Sequence, residues 1–287
     1  MLQEIAPQIW RFEPPQNPQR HIAIVAGIHG DETAPVEALE ELSLDTHPIW
    51  RGCSHQVTLI IAHPEAVTAQ QRTTLKGADF NRSFGATGPT DPLEARRITL
   101  IKEQLADADI VLDLHQTRLP IAPCAVCPPT PAHLALAEQI GAVQAVTGAQ
   151  LQFLGGMLID WANRQGSLAI TLETGQIGDP ASKKVAHQAI LSILKGPTVA
   201  RATLPVWELV DPLLSPGPDY QWTNEWHNGS PITVGQVIAD SPAGVICATV
   251  DGALFLPRLG QPSGAVCGLQ AVAAPQMTST NSHIPPT

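Results

Sequence analysis

The sequence predicts an α/β fold in which a mixed, mainly parallel sheet is flanked by helices and followed by a small all-β domain. Three observations carry this. Apolar runs of strand length alternate with helix-forming segments up to about Leu194, the pattern of strands joined through crossover helices. Runs such as His21-Ile22-Ala23-Ile24-Val25 and Leu168-Ala169-Ile170-Thr171-Leu172 are nearly apolar throughout, which suits strands covered on both faces. After Lys195-Gly196-Pro197 the helical periodicity stops, and short β-like runs at 231–239, 244–250 and 253–256 are punctuated by Gly, Pro and Asp. The expected division is an α/β domain over 1–197, a β-rich domain over 198–273 and a disordered tail over 274–287, where Pro, Ser, Thr and Asn show no periodicity.

Taken in order, residues 1–19 read as an extended arm, because Pro7, Pro14, Pro15 and Pro18 break any helix. A strand at 21–26 leads to a helix around Glu37-Ala38-Leu39-Glu40-Glu41-Leu42, whose acids form a solvated face. A strand at 57–62, a short helix at 65–71 and a Gly-rich loop at 73–90 come next. A charged helix at 92–106 precedes strands at 110–115 and 121–127. Helices at 132–140 and 157–164, a strand at 167–173 and a helix at 182–194 complete the first domain.

Composition narrows the function classes. The 287 residues are 44% hydrophobic and only 15% charged, enough for a substantial core. A formal net charge of −10 argues against nucleic acid or an anionic membrane as the main partner. No apolar run reaches the roughly eighteen residues of a membrane span, and Met1-Leu2-Gln3-Glu4-Ile5 lacks the character of a signal peptide, so a cytoplasmic protein is expected. Five cysteines in a chain this long do not make a disulfide framework, and Cys124-Ala125-Val126-Cys127 reads as two small buried residues on a strand.

The candidate chemistry lies at strand ends. Gly27-Ile28-His29-Gly30-Asp31-Glu32 follows the first strand and meets a helix start, with Pro35 near the first turn. His29 and Glu32 are thereby able to converge on one cation, and His115, ending Asp113-Leu114-His115, is a third ligand. Two imidazoles and a carboxylate with one position left to water is the donor set of a catalytic zinc. A water activated by zinc still needs a base, and Glu173, ending an otherwise apolar strand before Thr174-Gly175, is the candidate. In the loop after the second strand, Arg72 suits stabilisation of a developing oxyanion, while the Asn81-Arg82 pair suits a substrate carboxylate. His63, His133, His187 and His227 lack ligand spacing, and His21 is expected to pack beside the first strand.

These segments, with His63-Pro64 and Asp79-Phe80-Asn81-Arg82-Ser83-Phe84 between them and Thr171-Leu172-Glu173-Thr174-Gly175 after, resemble in order the motifs of the succinylglutamate desuccinylase and aspartoacylase family, relatives of the zinc carboxypeptidases. The resemblance spans residues 20–195 and implies one Zn²⁺ per subunit on His29, Glu32 and His115, with Glu173 as general base and proton shuttle. It also implies that Arg72 polarises the scissile carbonyl and that Asn81 and Arg82 hold a substrate carboxylate. Arg164 falls close to a further substrate-binding arginine of that family, and Arg118 is a second such candidate. Asp31 departs from an Asn common in relatives, and Tyr220, the chain's one tyrosine, has no evident counterpart to the late substrate-binding tyrosine of aspartoacylases. The Gly-Ile-His-Gly-x-Glu-Thr-Ala-Pro-Val-Glu run is more like the desuccinylase branch.

The expected function is zinc-dependent hydrolysis of the amide bond of a small anionic N-acyl amino acid. The rivals are a carboxypeptidase-like peptide hydrolase and a zinc-binding inactive relative acting as a binding protein. The acyl group, the amino acid and the choice between monomer and homo-oligomer stay open. The Trp222, Trp226 and His227 cluster fits either a narrowed entrance contributed by the C-terminal domain or an ordinary β-domain core.

Overall fold

The computed structural model describes residues 1–44, 46–74, 79–86, 88–148, 156–196 and 204–274. The chain opens on an antiparallel hairpin of β1 (Leu2–Ala6) and β2 (Ile9–Phe12). This corrects the expected extended arm: Pro7 breaks helix but falls in the hairpin turn, and Leu2, Ile9 and Phe12 are buried against the sheet.

There follow β3 (His21–Ala26), α1 (Thr33–Leu42), β4 (Gln56–Ile61), α2 (Pro64–Ala69), α3 (Pro92–Leu105), β5 (Ile110–Thr117), β6 (Cys124–Val126), α4 (Pro131–Gln139), β7 (Gln144–Thr147), α5 (Leu158–Gln165), β8 (Leu168–Gln176) and α6 (Ala181–Lys195). Each expected element is present within a few residues, while β7, four residues long, was not foreseen. After α6 come β9 (Val206–Leu214), β10 (Gln221–Trp222), β11 (Ser230–Ile232), β12 (Val237–Ser241), β13 (Gly244–Cys247), β14 (Gly252–Phe255) and β15 (Val266–Ala273), with no helix among the described residues there. The expected disordered tail lies, past Ala274, outside the described residues.

Twelve of these strands form one sheet in the order β1-β2-β4-β3-β5-β8-β6-β7-β9-β15-β14-β11, and β10, β12 and β13 form a second sheet. The C-terminal strands continue the main sheet, because β9 pairs in parallel with β7 and carries β15, β14 and β11 outward. At the centre, β4, β3, β5 and β8 are mutually parallel. All six residues of β3 are buried. Ile22, Ile24 and Ala26 join the core layer of α1, α4 and α6, whereas Ala23 and Val25 join that of α3 and α5. This two-sided burial explains why the run lacks polar alternation. A third core, around Tyr220, Trp226, Ile238 and Leu254, lies among the C-terminal strands. No helix among the described residues is long and apolar enough to cross a membrane.

From β3 the chain passes through α1 to β4 on one side, then returns to β5 on the other. That reversal opens a crevice at the carboxyl ends of β3 and β5, where open α/β sheets hold ligands. The turn leaving β3 is packed against α2, and a Cβ on Gly30 would fall inside the backbone of Ala66 and Val67. Backbone atoms on both sides leave little room to relax, so Gly30→Ala is expected to cost about 3 kcal/mol or more. In thermal unfolding that corresponds to a Tm lower by roughly 6 °C or more. An unchanged Tm would refute this packing.

Candidate metal centre and active site

Glu32 stands at the N-cap of α1 but makes no capping bond to the helix, because its side chain turns into the crevice. Its Oε1 lies 2.8 Å from His29 Nδ1 and its Oε2 lies 2.9 Å from His115 Nδ1. The backbone N–H of Gln116 also donates to Oε2, at 2.9 Å. All three side chains are buried, and one ligand atom from each lies within 4.8 Å of the others. Among the described residues no other group of three or more metal-binding side chains gathers so closely, which leaves His63, His133, His187 and His227 outside.

Each imidazole is also held from behind. His29 Nε2 is 3.0 Å from Asp79 Oδ1, and His115 Nε2 is 3.0 Å from Asp113 Oδ2, which also accepts a bond from the Thr171 hydroxyl at 3.3 Å. A carboxylate on Nε2 fixes the tautomer that presents a lone pair at Nδ1 and raises the ring's basicity as a ligand. The donor set therefore fits zinc: two inward Nδ1 atoms, one carboxylate, a matched outer carboxylate for each ring, and a cavity on the remaining side.

The same contacts shift the titrations. Burial works against charge on both rings, yet Asp113 and Glu32 hold the His115 imidazole well above its ordinary value, and Glu32 and Asp79 raise that of His29. Burial likewise opposes ionisation of Glu32, but His115 and His29 outweigh it and hold that carboxyl well below the usual carboxylate range.

The ladder places the candidate base. In the parallel pairing of β5 with β8, His115 is the partner of Glu173, so the two side chains emerge side by side from one face. Glu173 lines the cavity, and its Oε2 has no hydrogen-bond partner. Burial pushes its carboxyl up to about 7, with Glu32 and Asp113 adding to the rise and His115 and His29 opposing it. A carboxyl in that range both accepts and returns a proton near neutral pH. Cys124 faces Glu173 from β6, and burial pushes its thiol well above its ordinary value, in keeping with a small packing residue.

Arg72 donates to Asp79 Oδ2 at 3.0 Å and to Glu32 Oε1 at 3.5 Å, so it flanks the ligand cluster as it lines the cavity. Asn81 and Arg82 sit on one 3₁₀ turn, Phe80–Arg82, capped by Asp79, whose Oδ1 accepts from the Asn81 N–H at 3.0 Å. Asn81 Oδ1 accepts from the Leu158 N–H at 3.1 Å, which satisfies the start of α5, and Arg82 Nη1 donates to the Asn81 carbonyl at 2.9 Å. Phe80 anchors the turn by stacking on His63 with ring centroids 4.4 Å apart. Gly156, at φ 86°, lies so close to the Arg82 carbonyl that a Cβ would overlap it. Asn81 and Arg82 both line the cavity, and Arg118, exposed just beyond β5, lines it too.

Arg164 is the expected site residue that the structure does not bring in. It is exposed in the last turn of α5 and is not among the residues around the cavity. Met157, at the helix start, lines the cavity, and the seven residues to Arg164 carry it roughly 10 Å along the axis. It stands instead near Lys102 of α3. His21, at the amino end of β3, bonds Asp107 at 3.0 Å and Thr58 at 2.8 Å, remote from the carboxyl-edge cavity. The tryptophan cluster resolves toward core: Trp226 is buried with Tyr220, and Trp222 packs against them. The C-terminal strands do reach the cavity, of about 300 Å³, but through Asn228, Leu256, Pro257, Arg258 and Gln261. Sequence reasoning missed these residues, and it missed Gln116, whose amide accepts from Ala34 at 3.1 Å and donates to the Gln176 carbonyl at 2.7 Å.

Comparison with known proteins bears on the family and the fold. Residues 18–195, more than half of the chain, match the sequence profile of the succinylglutamate desuccinylase/aspartoacylase catalytic domain. A succinylglutamate desuccinylase of Yersinia enterocolitica is 33% identical over 88 residues, which cover 30% of this chain and 26% of that protein. One from Vibrio vulnificus is 40% identical over 53 residues, covering 18% of this chain and 16% of its own. The aligned part thus spans about a quarter of such relatives or less. Among solved structures, succinylglutamate desuccinylase of Vibrio cholerae superposes with a TM-score of 0.78 at 19% identity, over 93% of this chain and 85% of that one. The product-bound ectoine utilization protein EutE (DoeB) of Ruegeria pomeroyi gives 0.73 at 20% identity, over 92% and 88%. At such identities the superpositions establish a shared fold. With its profile match and that fold, the chain belongs to the succinylglutamate desuccinylase/aspartoacylase family.

Proposed function

We propose that the protein is a zinc-dependent amidohydrolase that splits a small anionic N-acyl amino acid into an acid and an amine. The observation that carries this reading is the unpartnered Glu173 carboxylate on the wall of the arginine-lined cavity, in register with His115. His29, Glu32 and His115 would hold one Zn²⁺ per chain. When bound, the ion supplies Lewis acidity, which acidifies a water and draws electron density from the acyl carbonyl. Glu173 accepts the proton of the attacking water and returns it to the amine nitrogen as the C–N bond breaks. Arg72, kept in place by Asp79, faces the negative charge that develops on the carbonyl oxygen. Asn81 and Arg82 grip a substrate carboxylate and so align the amide. A cavity of about 300 Å³ suits a small molecule better than an extended peptide. The five free cysteines suit a reducing, cytoplasmic setting.

A panel of N-succinyl, N-acetyl and N-formyl amino acids, assayed with zinc-loaded protein, tests the reading. Release of free amine from at least one of them is expected, and none would leave a binding protein. Glu173→Gln is expected to lower kcat roughly a thousandfold while one zinc per chain remains. Loss of the metal from that variant would identify Glu173 as a ligand instead. Because neighbouring carboxylates raise both His29 and His115, zinc is expected to compete with protons for these rings. Calorimetry in buffers of different ionisation enthalpy should show proton release on zinc binding, falling as the pH rises past the raised values. Zinc binding without proton release would contradict this ligand set.

A further inference from the structure

One buried imidazole outside the ligand cluster makes no hydrogen bond of its own. His63 is 1% exposed, and neither ring nitrogen has a hydrogen-bond partner among the described residues. It stands at the N-cap of α2, where Ser, Thr, Asp or Asn would bond the helix, yet its side chain makes no capping bond. The ring instead lies flat on Phe80, with centroids 4.4 Å apart and planes 17° from parallel. Glu94, buried in the first turn of α3, brings Oε1 to 3.7 Å from Nε2, too far for a hydrogen bond but close enough to draw the polar edge of the ring toward it. The Thr74 hydroxyl donates to the same oxygen at 2.8 Å and holds Glu94 in turn. Burial pushes the His63 imidazole below its ordinary value, with Glu94 and Glu65 opposing, so at neutral pH the ring is uncharged and stacks as an aromatic.

His63 thereby joins two parts of the site. Its backbone N–H donates to the Gly27 carbonyl at 3.0 Å, and the helix it opens packs through Ala66 against Gly30, so its main chain belongs with the turn that carries His29. Its ring belongs with the 3₁₀ turn: Phe80 is buried, meets Phe84 edge-on at 5.8 Å and directly follows Asp79. Asp79 is the carboxylate 3.0 Å behind His29 Nε2, and it also holds Arg72. The stack therefore ties the backbone beside Asp79 to the turn beside His29. A leucine would fill the same space without burying two unpaired nitrogens, which is costly at a core position, but it has no flat face of fixed orientation.

We propose that His63 is a positioning residue of the candidate metal centre: through its stack on Phe80, aimed by Glu94, it sets the Asp79 carboxylate behind His29 and so tunes the affinity of the site for zinc. This rests on the reading of His29, Glu32 and His115 as zinc ligands. His63 itself is neither among the gathered ligands nor on the cavity wall.

The test measures zinc affinity by competition with a chromophoric chelator, with no substrate present. His63→Leu, which keeps an apolar filling but loses the flat ring, is expected to bind zinc about tenfold more weakly, the lower end of what losing the partner behind a metal ligand costs. His63→Phe, which restores the stack, is expected to stay within about threefold of the parent. Phe80→Leu should match His63→Leu, and the two together should lose no more than either alone, as for residues that act through one contact. Thermal unfolding of the metal-free proteins separates this from simple packing, because a ring that only fills space would lower Tm and leave the zinc affinity of the folded protein unchanged. The inference is overturned if His63→Leu and Phe80→Leu bind zinc as tightly as the parent, if His63→Phe is as weak as His63→Leu, or if the two losses add. Should His63→Leu not fold, Phe80→Leu against the parent decides the same question. A parent protein that takes up no zinc overturns the inference together with the ligand reading, whereas a zinc-binding parent with unaltered variants overturns the inference alone.

Discussion

The carboxylate of Glu32 is the contact on which the site depends. One oxygen meets His29 and Arg72, and the other meets His115 and the Gln116 N–H, so a single buried side chain ties the turn after β3 to the end of β5. Strand pairing fixes the distance between those two attachments. β3 and β5 run in register up to Ala26 opposite Leu114, and His115 is the next residue along. A slip of one residue would send His115 to the opposite face and bring an apolar or amide side chain into its place. The register of the central strands is therefore as much a part of the candidate metal centre as its side chains.

Burying this many ionisable groups is costly unless each is paired, since an isolated buried ion carries a penalty of several kcal/mol. The structure meets that cost by alternating signs outward from Glu32: imidazoles next, then Asp79 and Asp113, then Arg72 on Asp79. Glu173 stands apart from the alternation, with one oxygen unpartnered, and it is the carboxyl whose protonation is brought near neutrality. In the proposed reaction, the residue left out of the network is the one that exchanges a proton.

Much of this was legible in the sequence because the residues concerned sit next to strong local signals. His29 and Glu32 follow an apolar strand, and His115 and Glu173 lie near the carboxyl ends of two others, so hydrophobic runs alone could place them. Arg72, Asn81 and Arg82 lie in one loop, close enough to those ends for chain order to suffice. Arg164 misled because its offset from Glu173 along the chain says nothing about the direction in which α5 leaves the cavity. The amino-terminal hairpin was hidden by its prolines, which report only that helix is excluded. Arg258 and Asn228 could not be read at all, since their approach to the cavity follows from β9 extending the main sheet and from side-chain bonds across more than a hundred residues.

The Asn228 side chain, bonded to Leu256 after β14 and to Leu119 and Pro120 after β5, marks a division along the polypeptide. The groups that gather around Glu32 all precede Ser182, whereas the loop after β14 hangs on strands that supply none of them. Substitutions in that late loop can alter the lining of the cavity while the groups around Glu32 keep their geometry. Such an arrangement lets that part of the lining change by small steps, with little risk to the buried cluster around Glu32.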